Sequence, residues 1–233
     1  MGKVELYLRD LFTGRLWHRA IRKYGRDRGA IFTSIYKSRY WNPNGSGESV
    51  SGEGSTLSIT AKARSAIEAV VREFGITSML DAPCGDFHWM KHTRLQGVKY
   101  TGADIVRPLI ERNNREYGSA ERRFIHLDIV EEVCEAVDLI LCRDCIQHLT
   151  NAEALRVIQN FSKSGSKYLL MTMSPRLTHN DDMPKAGGFR GVTLFLPPFN
   201  LPKPEREFVE WVDENPNLEK TLGLWKLPIA FNG

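Results

Sequence analysis

The sequence predicts an α/β fold: a mainly parallel sheet with helices on both faces and an antiparallel hairpin at its C-terminal edge. Three observations predict it. Five short apolar runs between residues 76 and 173 alternate with amphipathic stretches, the βαβ rhythm of parallel strands joined by right-handed crossovers. The first run ends in a Gly-containing turn, Ala82-Pro83-Cys84-Gly85, and folds of this kind bind ligands beyond the carboxyl ends of their strands. Two strand-like runs, 191–196 and 221–227, close the chain with no helix pattern between sheet and tail, which predicts antiparallel pairing.

The elements follow in order. Residues 3–24 place Leu6, Leu8, Leu11, Phe12, Leu16, Trp17, Ala20 and Ile21 at helical spacing, with Arg9, Arg15, Arg19, Arg22 and Lys23 elsewhere. This predicts an amphipathic helix whose apolar face packs on the main domain, on a second copy or on a membrane surface. Residues 31–41 are apolar and aromatic. Residues 42–56 hold Gly45, Gly47, Gly52 and Gly54 among Ser and Asn. Glu48 and the flanking aromatics favour a folded loop that closes over a crevice, rather than a linker. A helix capped by Ser55 or Thr56 runs to about Phe74 and ends at Gly75. Strands are expected at 76–82, 98–104, 122–128, 137–143 and 167–173, and helices at 87–95, 107–117 and 151–161, the last capped by Asn151. Residues 1–56 thus form a basic N-terminal helix, an aromatic segment and a lid loop, and 57–233 the binding domain.

Composition bounds the function classes. The chain has 233 residues, enough for one large domain or one domain with an appendage. No apolar run approaches the roughly 20 residues that span a membrane, and the start lacks a signal-like apolar core. Cys84, Cys134, Cys142 and Cys145 sit in or beside core elements, which predicts free thiols and a cytoplasmic location. The net charge of +4 is uneven: residues 1–40 carry ten Lys/Arg against three Asp/Glu. Such an arm can meet phosphate, anionic lipid or an acidic partner, or be a solvated helix.

The expected strand ends carry the chemistry. They hold Asp81, Asp104, Asp128 and then Arg143-Asp144, so polar groups from four strands converge on one crevice. An acid at the end of the second strand commonly accepts hydrogen bonds from ribose hydroxyls, in NAD and in S-adenosylmethionine alike. The first loop separates the two cofactors. A pyrophosphate needs Gly-x-Gly-x-x-Gly so that backbone can approach it, and here only Gly85 stands in the turn, among Ala82, Pro83 and Phe87. A phosphate-free nucleoside tolerates this loop.

The order Leu-Asp-Ala-Pro-Cys-Gly-Asp-Phe, Gly-Ala-Asp, Leu-Asp-Ile and Asp-Leu-Ile-Leu-Cys-Arg-Asp resembles the class I S-adenosylmethionine-dependent methyltransferases over roughly residues 57–175. Residues 32–64, with Tyr36, Trp41 and the run 48–56, and the tail segments 197–202 and 222–227 resemble a mostly uncharacterised bacterial-type subgroup. The resemblance implies a Rossmann-like sheet and S-adenosylmethionine as cofactor. It implies that Asp81, Ala82, Pro83, Cys84 and Gly85 line the methionine part, and that Asp104, with Ile105 beside it, accepts from the ribose. Asp128 would take the adenine amine, with Ile129 on the ring. Arg143 and Asp144 would lie where the methyl group emerges. Arg64 would face the same crevice and bind the cofactor carboxylate, and Trp41, Glu48 and Ser51 would belong to the substrate side and its lid.

A sulfonium methyl is already activated, so the protein must align the acceptor and exclude water. No metal is expected. A base helps if the acceptor is a hydroxyl or protonated amine; Asp144 and His148 are the candidates, with His88 third. Cys142-Arg-Asp-Cys145 has the spacing of half a zinc site but no second pair. The expected function is methyl transfer to an O or N acceptor on a small molecule or glycan. The alternatives are an RNA or protein methyltransferase using the basic arm, a non-catalytic cofactor-binding subunit, and an NAD oxidoreductase, which the first loop disfavours. Nucleic acid is an open partner, as is a homodimer through the N-terminal helix.

Overall fold

The computed structural model describes residues 25, 27–42 and 47–230. The basic helix expected over 3–24, and with it the homodimer surface and most of the basic arm, lies outside them.

Seven strands form one sheet in the order β3-β2-β1-β4-β5-β7-β6. They are β1 (Ser78–Asp81), β2 (Lys99–Asp104), β3 (Arg122–His126), β4 (Leu139–Cys142), β5 (Tyr168–Met173), β6 (Arg206–Trp211) and β7 (Lys220–Lys226). The first five pair in parallel and β7 runs antiparallel to both β5 and β6. The predicted mixed architecture is therefore the observed one. β1 and β4 are central and almost wholly buried, and β4 is wholly apolar, because both their faces are covered. Their neighbours run outward in opposite directions, which opens a crevice at their carboxyl ends.

The helices are α1 (Arg28–Lys37), α2 (Ala61–Glu73), α3 (Arg107–Tyr117) and α4 (Asn151–Lys163). Strand alternation splits the core in two. Met79, Leu139, Leu141 and Leu170 face Ala63, Ile67 and Val70 of α2 and Ile110 of α3. Leu80, Ile140, Leu169 and Met171 face Ala154, Val157, Ile158 and Phe161 of α4.

Four expectations need correction. No α-helix follows β1: residues 87–95 hold a single 3-10 turn, Met90–His92. Gly85 and Phe87 both take left-handed backbone, φ +55° and +58°, which breaks a helix before it nucleates. Phe87 is kept there by ring contacts with Tyr100, Tyr117 and Phe124 and by the Arg122 guanidinium over its face. The helix expected from residue 55 or 56 begins at Ala61, because Thr56 is extended (ψ 155°) and closes a separate 3-10 turn, Glu53–Ser55. The cap of α4 is Thr150, not Asn151: its hydroxyl accepts from Glu153 N–H while the Glu153 carboxylate accepts from Thr150 N–H. Finally, residues 191–196 are no strand. Val192 and Leu194 anchor a buried loop in the core, and the Asn180 amide serves the Thr193 backbone in place of a strand partner. The edge hairpin is β6–β7.

Candidate active site

Beyond the ends of β1, β2 and β4 lies a cavity of about 390 Å³, within the range of small-molecule sites. Its floor is the loop after β1. Gly85 approaches the cover so closely that a Cβ would sit 2.5 Å from Ser51 Oγ and 3.3 Å from Tyr36 Oη. With φ +55° as well, this position requires glycine. Gly85 N–H donates to Asp104 Oδ2 at 3.1 Å, and Val106 N–H donates to Oδ1 at 2.9 Å. The carboxylate is thus fixed in orientation with a lone pair left on each oxygen. Burial pushes its pKa up to about 6 against the pull of the Val106, Gly85 and Ile105 N–H groups.

Asp81 stands behind the floor. It is buried, accepts Tyr100 Oη–H at 2.6 Å, and is pushed up to about 7 by burial. Neither Asp81 nor Ala82 lines the cavity, whereas Pro83, Cys84 and Gly85 do. Their neighbour Asp86 is turned to another task. Its carboxylate accepts from Ser49 Oγ at 2.8 Å, Val50 N–H at 2.8 Å and Ser51 Oγ at 3.2 Å. Residues 47–56 are therefore held down as a folded cover, and Ser51 to Ser55 line the cavity from above.

At one end, Asp128 Oδ1 accepts Val130 N–H at 3.0 Å and Oδ2 accepts from Arg28 at 2.7 Å. Arg28 also reaches Glu131 and Glu153. Burial works against the charged guanidinium, but these three acids outweigh it and hold its pKa above the ordinary value. α1 is fastened over this end by that cluster, and Ile105 and Ile129 supply apolar wall.

At the other end, Arg143 is buried and bonds Glu210 of β6 through Nε and an NH2 group, with the carbonyl of Gly54 as a further acceptor at 3.1 Å. Asp144, in left-handed backbone at φ +51°, accepts from Lys220 Nζ at 2.6 Å and Gln147 Nε2 at 2.8 Å. Burial alone would raise the Asp144 pKa. Arg143 and Lys220 outweigh it and hold the carboxyl well below the usual range, which makes it a poor proton acceptor. His148 is different. Its Nδ1 lies 2.6 Å from the Gly188 carbonyl, and burial lowers its pKa below the ordinary 6.5. A carbonyl accepts only, so Nδ1 carries the proton and Nε2 the lone pair.

The structure brings together Trp41, Ser51, Pro83, Cys84, Gly85, Asp104, Ile105, Asp128, Ile129, Arg143, Asp144 and His148. Besides Asp81 and Ala82, two further candidates fall outside. Glu48 accepts Leu57 N–H and faces His88 at 3.6 Å, bracing the cover from its outer side. Arg64 donates to the Leu57 carbonyl at 2.9 Å and does not line the cavity. His88 does not line it either. Arg28, Gln147, Glu210 and Lys220 were not singled out. Arg28 lay hidden in a basic run, and no local pattern marks Glu210 or Lys220, which reach the site from the antiparallel hairpin. Trp89 lies under the Arg143 guanidinium at 5.2 Å.

Solved structures share this fold. One is the 1,6-didemethyltoxoflavin-N1-methyltransferase of Burkholderia thailandensis, with 15% identity and a TM-score of 0.59 over 85% of this chain and 86% of that one. Magnesium protoporphyrin IX methyltransferase from Synechocystis PCC 6803 matches over 97% of this chain and 98% of that one, with 12% identity and a TM-score of 0.51. The N-methyltransferase NodS of Bradyrhizobium japonicum WM9 matches over 73% and 88%, with 14% identity and a TM-score of 0.54. The first and third were solved with S-adenosylhomocysteine and the second with S-adenosylmethionine. No protein-family profile matches the chain, and no curated protein does. The likeness establishes the fold.

Proposed function

We propose that this protein is an S-adenosylmethionine-dependent methyltransferase acting on a small molecule. One observation carries the reading. Asp104 is fixed on the cavity floor with two lone pairs free, while the loop beside it offers neither a glycine-rich cradle nor a helix N-terminus. A dinucleotide needs both for its pyrophosphate. An adenosyl sulfonium needs the carboxylate and neither of the others. That the helix after β1 is missing therefore adds to the case against NAD. The crystallised fold relatives that hold the same nucleoside support the choice.

The residues take these roles. Asp104 accepts from the ribose hydroxyls, Gly85 lets the cofactor lie close to backbone, Ile105 and Ile129 face the adenine, and Asp128 receives its amine beside Arg28. α1 and the loop 47–56 form a cover that excludes water from the reacting end. Asp144 orients Lys220 and Gln147 and favours positive charge nearby. His148 Nε2 is the proton acceptor. When bound, the cofactor supplies an electrophilic methyl group; the chain supplies alignment and a base.

Among the described residues no helix is long and apolar enough to cross a membrane. Calorimetry with S-adenosylmethionine, S-adenosylhomocysteine and NAD tests the reading. Both sulfur nucleosides should bind and NAD should not; NAD binding in their place overturns it.

A further inference from the structure

The following inference rests on the methyltransferase reading and names the acceptor's chemical class. The acceptor end of the cavity is walled by rings. Trp41 packs on His148 with centroids 5.0 Å apart, His148 meets Phe189 at 5.8 Å, and Tyr36 meets Trp41 edge-on at 5.3 Å. All four line the same cavity, and Phe189 is still 51% exposed. A wide aromatic surface thus continues from the interior to the mouth, suited to the face of a flat ring system.

Arg143, Asp144 and Lys220 at this end are already matched. Arg143 has Glu210, Asp144 and the Gly54 carbonyl; Lys220 has Asp144. A carboxylate, phosphate or ammonium on the acceptor would have to break into these pairs, and unpairing a buried ion costs about 3–5 kcal/mol. Among the described residues the open side-chain acceptors here are the Gln147 amide oxygen, the Ser55 hydroxyl and His148 Nε2, with the indole N–H groups of Trp41 and Trp89 as donors. A polyol needs more, at about 1–3 kcal/mol for each buried group left unmet.

We infer that the methyl acceptor is an uncharged, planar aromatic or heteroaromatic molecule carrying a ring hydroxyl, laid against Trp41 and Phe189 with that hydroxyl presented to His148. A lone pair of the hydroxyl oxygen forms the new C–O bond while the C–S bond breaks and its electrons remain on sulfur as a neutral thioether. The hydroxyl proton passes to the lone pair of His148 Nε2 and leaves to water through the mouth. Glycans and amino acids fit this end poorly, the first for want of partners and the second for want of counter-ions.

The test uses the whole protein and four probes: 7-hydroxycoumarin, 4-hydroxyquinoline, methyl β-D-glucoside and glycine. With S-adenosylhomocysteine present, calorimetry should detect both hydroxyarenes and neither of the others. With S-adenosylmethionine, mass spectrometry should find one added methyl on the arene oxygen. Phe189→Ala removes an exposed ring that the core does not need, and should weaken arene binding about tenfold without changing the affinity for S-adenosylhomocysteine. Higher kcat/KM for the glucoside or glycine overturns the inference. So does a protein that binds S-adenosylmethionine but methylates neither arene, or an unchanged arene affinity in Phe189→Ala. Failure to bind S-adenosylmethionine at all is a separate result: it overturns the methyltransferase reading, and this inference with it.

Discussion

Asp86→Ala should release the cover while leaving the sheet intact. Asp86 is buried at 7% exposure and receives three bonds from the cover: Ser49 Oγ and Val50 N–H at 2.8 Å, Ser51 Oγ at 3.2 Å. Bonds to a carboxylate are worth about 1.5–3 kcal/mol each. Neighbours in one network are not additive, so the set should hold the cover by about 3–4 kcal/mol. At about 1.4 kcal/mol per tenfold, opening of residues 49–51 becomes some 100- to 1,000-fold more frequent. Amide hydrogen exchange at Val50 reads this directly, because that N–H is itself a donor to Asp86. Exchange at Leu141 in β4 should not change, since it reports on the buried sheet. Asp86→Asn keeps one acceptor and loses the charge, so it should fall about midway. If Val50 exchange in Asp86→Ala stays within threefold of the wild type, Asp86 does not hold the cover and the account of the closed cavity fails.

Three further outcomes follow from the same geometry. Asp104→Asn leaves one acceptor oxygen for two backbone donors and removes two charge-assisted ribose bonds, about 3 kcal/mol together; the calorimetric Kd for S-adenosylmethionine should rise about 100-fold, and a change under threefold would take Asp104 out of the site. His148 is lowered below 6.5 by burial, so it is a free base at neutral pH: kcat should be level from pH 7 to 8 and fall as pH drops through its pKa. His148→Ala should lower kcat by about 100-fold and remove that acid limb; unchanged turnover in the variant refutes the role. Asp81 is raised from 3.8 to about 7 in the fold, so the native state favours its protonated form. The stability it contributes is complete below about pH 4 and is lost as pH rises through 7, by up to about 4 kcal/mol. Urea denaturation at pH 5 and 8.5 should show the wild type losing about 2–4 kcal/mol relative to Asp81→Asn, and parallel behaviour of the two proteins would contradict it.

The sheet was legible because its signal is local. Five apolar runs, four of them with an acid at or beside the end, spaced by amphipathic stretches, specify parallel strands whatever the rest of the chain does. The loop after β1 was legible as a Gly-containing turn at the crevice but misread as a helix start. Helical spacing extends over 87–95, yet the left-handed backbone at Gly85 and Phe87 is imposed by the packing of Phe87 against Tyr100, Tyr117 and Phe124, residues up to 37 positions away in the sequence. The hairpin partner of β7 was misplaced for a related reason. Val192 and Leu194 look like strand residues because they are buried, and burial in a loop leaves the same mark as burial in a sheet.

The sequence by itself determined the fold class, the row of acids at the strand ends and the glycine of the first turn, since each is written in a contiguous stretch of the chain. Only the tertiary structure decided which charges are matched and which remain open. Arg28 reaches Asp128 across 100 positions, Glu210 reaches Arg143 across 67, and Lys220 reaches Asp144 across 76. Those pairings engage the Asp144 carboxylate in salt bridges, whereas His148 keeps a ring nitrogen outside them. Electrostatics acts through space, and distance in space is what a linear string of residues does not carry.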